Sequence, residues 1–142
     1  MSEVKQGSED RACLRFGWTS IALWALYGLA LETAHGFKLG LYLDDSLRHT
    51  LLRLAHAHGV VLALVVLAFG RGAGALYDEA PAAARTTGRL LRAGALVIPV
   101  GFALSAIAPH EGDPGWPVAL VPLGAVLLLV GLGRTAVRAW RG

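Results

Sequence analysis

Two clusters of ionisable residues interrupt long apolar stretches of this sequence. The first is Glu32-Thr33-Ala34-His35-Gly36-Phe37-Lys38, at the end of one apolar stretch, and the second is Arg53-Leu54-Ala55-His56-Ala57-His58-Gly59, at the start of another. A carboxylate and an imidazole three residues apart on a helix share one face, which is the spacing of carboxylate-bridged metal sites in helical bundles. The pattern predicts a transition-metal site formed by Glu32, His35 and His56.

The same side chains suit other roles. His35 and His56 could supply two axial nitrogens to a haem, with Arg53 or Lys38 pairing with its propionates, and neutral imidazole also suits copper or zinc. The cluster could instead handle protons or a substrate, because ionisable residues inside a membrane are functional candidates by default. It could also bind no cofactor, with Glu32, His35, Arg53 and His56 forming a hydrogen-bonded network that fixes helix register.

The elements that must position these residues are membrane spans. The chain has 142 residues, of which 55% are hydrophobic and 16% charged, whereas about 25% of residues are charged in a soluble domain. Four apolar runs are long enough, at about 1.5 Å per residue, to cross a hydrocarbon core of about 30 Å. We therefore predict an all-α, antiparallel bundle of four transmembrane helices in a single integral membrane domain, residues 1–142. The predicted spans are about 17–38, 48–70, 90–108 and 116–133, with a mobile cytoplasmic tail at 1–16 and a loop at 71–89.

Orientation follows from the basic residues. Ten of the thirteen lysines and arginines lie in or beside the segments 1–16, 71–92 and 134–141, and only Lys38, Arg48 and Arg53 flank the other span ends. Since basic residues accumulate on the cytoplasmic side, we expect both termini in the cytoplasm and the chain in the bacterial inner membrane. All five histidines then lie in the outer half, so any site is expected near the outer face.

Helical spacing divides the second cluster. At about 100° per residue, His49, Arg53 and His56 share one arc, whereas His58 points to the opposite side. We expect Glu32 and His35 to be neighbours of His56 between the first two spans. His58 is expected to face another helix or a second subunit.

Small residues mark the expected helix contact. Ala55, Gly59 and Ala63 form a stripe at four-residue spacing, and such stripes let membrane helices approach closely.

Other polar positions have simpler interpretations. His49 and His110 are expected to be solvated at the aqueous interface. The pair Asp44-Asp45 is interpreted as a solvated turn, and the alternative is that Asp45 or Ser46 is the N-cap of the next helix. The single cysteine, Cys13, excludes an intramolecular disulfide and a CxxC motif.

The motif Arg53-Leu54-Ala55-His56-Ala57-His58-Gly59, followed by an apolar span, resembles the histidine-bearing helices of small bacterial four-helix membrane proteins. Some of these look similar to the catalytic-subunit helices of haem-copper oxidases and nitric oxide reductases, in which histidines on several helices hold two haems and a further metal. Here the third and fourth spans carry no histidine, so the resemblance implies at most one haem or one metal ion. An arginine and a histidine opening the second span also resemble those of the four-helix hydroxylaminobenzene mutases.

Three functions therefore follow from the sequence as hypotheses. The first is a protein that binds one haem or metal ion near its outer face, in an electron-transfer or redox accessory role. The second is a non-catalytic subunit or assembly partner that binds other membrane subunits or a second copy of itself. The third is a small isomerase or transporter for an apolar substrate. Nucleotide-binding loops, zinc-protease and nucleophile-elbow motifs are absent, and the basic residues fit anionic lipid headgroups of the bilayer rather than nucleic acid.

Overall fold

The four long helices predicted from the sequence are confirmed. The computed structural model describes residues 2–107, 109 and 112–141, and these form helices without a β-strand. The helices are α1 (Ser2–Gly36), α2 (Gly40–Leu43), α3 (Ser46–Leu76), α4 (Pro81–Ser105) and α5 (Leu120–Arg141), with a 3₁₀ turn at Trp116–Ala119 before α5. The stretches Glu9–Gly36, Ser46–Leu76, Pro81–Ser105 and Trp116–Arg141 are each long and apolar enough to cross a membrane.

The helices α3 and α4 form the centre of the bundle. Consecutive long helices run antiparallel, with α1 packed on α3 and α5 packed on α4. The described parts of α1 and α5 do not pack on each other. The core therefore lies along α3 and α4, where Val66, Phe69, Leu91 and Ile98 are buried.

The two ends of the bundle differ in chemistry. At one end Arg92 pairs with Glu9, and Arg134 bonds to Thr87. We call this the arginine end; it contains residues 2–16, 70–92 and 130–141. The other is the histidine end, which contains residues 30–58, 102–107 and 112–121.

Small residues allow the close approach of α1 and α3. A Cβ atom at Gly59 would overlap the Trp24 ring, and one at Gly28 would overlap the imidazole of His56. Ala55 and Ala63 are buried in the same seam. The predicted small-residue stripe is thus a helix-packing surface.

Glycines also line the contact between α4 and α5. Gly94 and Gly101 on α4, and Gly124 and Gly131 on α5, are each seven residues apart and buried. A Cβ atom at Gly94 would lie 2.8 Å from the carbonyl oxygen of Gly124. Repeats of this spacing keep the small positions on one helix face.

The first helix begins earlier than the predicted span. The segment interpreted as a tail is helical from Ser2, and Cys13 is fully buried. Glu9 is 6% exposed and pairs with Arg92 on α4. This tertiary ion pair holds the early turns of α1 against the bundle.

The connection between α3 and α4 is shorter than the predicted loop. Helix α3 continues to Leu76 and α4 begins at Pro81. Tyr77 is 1% exposed, so the connection itself packs into the core. Pro81 occupies the first turn of α4, where its missing N–H leaves no hydrogen bond unmade.

Two local motifs frame the turn between α1 and α3. The Asp45 carboxylate accepts a hydrogen bond of 3.0 Å from the Arg48 N–H, which confirms the predicted N-cap of α3. At the end of α1, Lys38 has a φ of 52°, and the Leu39 N–H donates to the Ala34 carbonyl over 2.9 Å. The second pattern is a Schellman-type end, which most often uses glycine at the left-handed position.

Candidate functional site at the histidine end

Tyr42 lies at the centre of the polar side chains at this end. The short helix α2 carries it between α1 and α3, and it is 7% exposed. Its ring centroid is 4.6 Å from that of His49 and 6.4 Å from that of His35. The His35 and His49 rings are themselves 6.2 Å apart, with planes inclined by 29°. These three residues form what we call the ring cluster.

Two charged residues act on the ring cluster. Burial raises the pKa of the Tyr42 phenol above its ordinary value of 10.0, the charge of Arg53 lowers it, and the charge of Glu32 raises it. The phenol is therefore protonated at neutral pH and can donate a hydrogen bond. The side chains of Glu32 and Arg53 are both exposed, at the rim of the cluster.

The structure brings His35 to His49 and not to His56. His56 packs over Gly28 and donates from Nδ1 to the Trp24 carbonyl oxygen over 2.8 Å. Gly28 is seven residues from His35, which is about 10 Å along a helix. His56 thus lies about two turns deeper in the bundle than the ring cluster.

The hydrogen bond of His56 defines its tautomer. A carbonyl oxygen only accepts, so Nδ1 carries the proton and Nε2 keeps its lone pair in the neutral ring. Metal-bound histidines often have the same arrangement, in which one ring N–H donates to a backbone carbonyl that orients the ring and the other nitrogen is free to bind the metal. Among the described residues, however, no group of three or more His, Cys, Asp or Glu side chains is placed to hold a metal ion. A site formed by Glu32, His35 and His56 stays a prediction.

His58 has a packing environment of its own. Its Nδ1 donates to the Leu54 carbonyl oxygen over 2.9 Å, and its ring lies 5.1 Å from that of Phe102 on α4. The expectation that His58 faces another helix is confirmed. His110 and Glu111 lie outside the described residues.

A cavity of about 310 Å³ adjoins the ring cluster. Two polar side chains, Tyr42 and Arg48, take part in its lining, and the rest is aliphatic: Leu31, Ala34, Leu39, Leu41, Leu52, Ala103, Ala106 and Ile107. Arg48 is fixed by hydrogen bonds from Nε to the Ala106 carbonyl over 3.1 Å and from Nη1 to the Leu41 carbonyl over 3.0 Å. Its charge is thus held at the cavity wall by α2 and the end of α4.

Sequence reasoning missed Tyr42, Arg48 and His49 as site residues. A signal existed for His49, because it shares a helical arc with His56 and lies seven residues before it. No signal marked Tyr42, since the segment around it reads as a connection whose polar residues are Asp44 and Asp45.

The fold and the site define a class, namely a small all-α protein with four helices fit to span a membrane and an apolar cavity at one end. No known protein family matches the chain, and comparison with curated proteins and with solved structures found no match. The resemblance to the histidine-bearing helices of small bacterial four-helix membrane proteins stays a prediction.

Proposed function

We propose that this protein lies in the bacterial inner membrane with both termini cytoplasmic, and that it binds a small amphiphile in the cavity at the histidine end. The observation that carries the proposal is that Tyr42 both lines the cavity and forms the ring cluster. A molecule seated there would have its apolar part against aliphatic side chains and its polar part beside a phenol.

The size and lining of the cavity support this proposal. Ligand pockets usually measure about 300–1,000 Å³ and are mostly apolar, with a few polar groups that set orientation. At about 310 Å³, this cavity suits a short amphiphile rather than a whole phospholipid. The guanidinium of Arg48 favours an uncharged or anionic polar group over a cationic one.

The ring cluster adds chemistry to binding. The Tyr42 phenol can donate a proton, and the imidazole of His49 beside it has a ring nitrogen that can accept one. An acid and a base next to an apolar cavity are what a proton-transfer isomerisation requires. The proposal thus corresponds to a membrane isomerase or carrier for an apolar substrate.

The test is a thermal-stability titration of the protein in nanodiscs with decanol, decanoate and decylamine. A ligand that binds only the folded state raises the unfolding temperature with concentration. We expect decanol and decanoate to do so and decylamine not to, because only decylamine places a cation beside Arg48. The three compounds share one chain length, so decylamine controls for effects on the bilayer. Equal shifts with all three, or no shift, would contradict the proposal.

A second candidate function is binding of a transition-metal ion by His35 and His49. With metal–nitrogen bonds of about 2.0–2.1 Å, two rings whose centroids are 6.2 Å apart can share one ion between them. Tyr42 lies beside both rings, with centroid distances of 6.4 Å to His35 and 4.6 Å to His49. We propose a small ion such as copper here, because it needs less room among these three rings than a haem.

Calorimetric titration with Cu²⁺ tests this candidate. We expect one ion per chain, lost in both His35→Ala and His49→Ala. His58→Ala is the matched control, because His58 packs on Phe102 away from the ring cluster. Equal binding by all three variants would show that the ion lies elsewhere.

A further inference from the structure

A second cavity lies at the arginine end, and its walls combine cations with apolar side chains. It measures about 370 Å³ and is lined on α5 by Arg134, Arg138, Arg141, Val130 and Val137. The arginines are spaced at four and three residues, which places them on one helix face.

Hydrogen bonds and stacking position two of the arginines. Arg134 donates from Nε to the Thr87 hydroxyl over 3.1 Å, and Thr87 is fully buried. The guanidinium of Arg138 lies 5.5 Å from the centroid of the Tyr77 ring, whose hydroxyl donates to the same threonine over 3.4 Å. The bond to Thr87 uses Nε of Arg134 and leaves its two Nη groups, the donors with which arginine grips phosphate, for a ligand.

Within the described part of the chain, none of these three arginines forms an ion pair with a carboxylate. Among the side chains that the structure describes, Arg92 with Glu9 is the only ion pair within 4.0 Å. Asp78 and Glu79 line an adjoining cavity of about 460 Å³ that Arg138 and Arg141 also reach. Arg134 does not line that adjoining cavity, so the positive charge is least offset at its position.

We propose that this cavity binds the phosphate of an anionic phospholipid, with an acyl chain running along Val130 and Val137. Both valines are about half exposed on the surface of a helix fit to span a membrane, so the cavity opens toward the bilayer. Trp140 is 91% exposed nearby, and tryptophan favours the headgroup level of a membrane. Basic pockets between membrane helices suit anionic headgroups. The inference does not depend on the amphiphile at the other end.

Native mass spectrometry of the detergent-solubilised protein tests the proposal with dioleoyl phosphatidylglycerol, dioleoyl phosphatidylcholine and inorganic phosphate as probes. We expect phosphatidylglycerol to bind in preference to phosphatidylcholine. The double variant Arg134→Gln/Arg138→Gln should weaken its binding about 25-fold, since each basic residue at a membrane surface contributes about fivefold, or about 1 kcal/mol. Inorganic phosphate should neither bind nor compete at millimolar concentration, because it lacks the acyl chain.

The matched control is Arg71→Gln/Arg89→Gln, which removes the same charge from exposed positions at the same end that do not line the cavity. It should bind phosphatidylglycerol as the unmodified protein does. An equal loss in both double variants would overturn the proposal in favour of diffuse surface charge, and competition by phosphate would overturn it in favour of a free-anion site. Should the first double variant not fold, Arg141→Gln takes its place, because Arg141 is exposed and its substitution should leave folding intact. This single variant must weaken phosphatidylglycerol binding about fivefold.

Discussion

Arg92 on α4 and Glu9 on α1 form an ion pair in which Nη2 and Oε1 are 2.8 Å apart, with side chains 21% and 8% exposed. The carboxylate packs against Gly88, where a Cβ atom would overlap Oε1, and accepts a weak bond from the Cys13 thiol over 3.7 Å. Because of this pair, the early turns of α1 pack into the bundle, although their composition is that of a solvated tail.

Removal of one partner of this pair should destabilise the protein. Arg92→Met leaves the Glu9 carboxylate buried without its counter-charge, and we expect the free energy of unfolding to fall by about 3 kcal/mol. The double variant Glu9→Leu/Arg92→Met should recover part of that loss, because no unpaired charge remains. Unfolding in mixed micelles measures both effects. Arg15→Met, at an exposed position of α1, is the control, and a loss as large as that of Arg92→Met would contradict the prediction.

Gly28→Ala should weaken the contact between α1 and α3. The new Cβ atom would overlap the His56 imidazole, which its bond to the Trp24 carbonyl holds in place. We expect a loss of about 1–3 kcal/mol in unfolding free energy, as for overpacked cores. The matched substitution on the same helix is Gly36→Ala, whose new Cβ atom would have no neighbour within 4 Å. It should be neutral or stabilise the protein by up to about 1 kcal/mol. Equal effects of the two changes would show that the seam is not tightly packed.

Lys38→Gly should stabilise the protein. A φ of 52° is strained for a residue with a Cβ atom but not for glycine. We expect a gain of about 0.5–1 kcal/mol in unfolding free energy, which is less than the full strain because glycine is also more flexible when unfolded. Lys38→Ala removes the charge but keeps the strain, so it should bring no gain. If alanine stabilised as much as glycine, the charge and not the backbone would be the cause.

Tyr42 should make stability depend on pH in the alkaline range. Its pKa is raised by burial, so above its ordinary value of 10.0 the unfolded chain loses this proton before the folded chain does. The contribution of Tyr42 to the free energy of unfolding is therefore fully present below pH 10.0, and it decreases as the pH rises above that value. Tyr42→Phe removes this contribution, and comparison of unfolding at about pH 9 and about pH 11 should show a smaller decrease in the variant. Parallel decreases in both proteins would refute the assignment.

The sequence was sufficient to predict the four helices and insufficient for their ends. Runs such as 54–69 have no other stable form than a membrane-spanning or fully buried helix, so their existence follows from hydropathy alone. Because of their charges, Glu9, Arg71 and Arg85 were placed outside the predicted spans, whereas the helices α1, α3 and α4 include them. These charged residues are compatible with a helix because they lie at the arginine end. Glu9 has a second reason, since it pairs with Arg92 on α4. Such partners are tertiary and cannot be read from local composition.

The candidate site shows a similar limit. Helical periodicity correctly separates His58 from His56, because the faces of one helix depend on spacing alone. Which residue of α1 meets His56 depends on the register between two helices, and here the packing of Trp24 on Gly59 sets that register. The observed register differs from the predicted one by about two turns of α1, so Gly28 and not His35 is the neighbour of His56.

The most direct test of the central claim is to fill the cavity at the histidine end. Ala34→Phe puts a ring into the cavity from α1, whereas Ala25→Phe puts the same ring on an exposed face of the same helix. In nanodiscs, decanol should raise the unfolding temperature of the unmodified protein and of Ala25→Phe, and should leave that of Ala34→Phe unchanged. An equal rise in Ala34→Phe would contradict the account, because the amphiphile would then bind somewhere other than beside Tyr42.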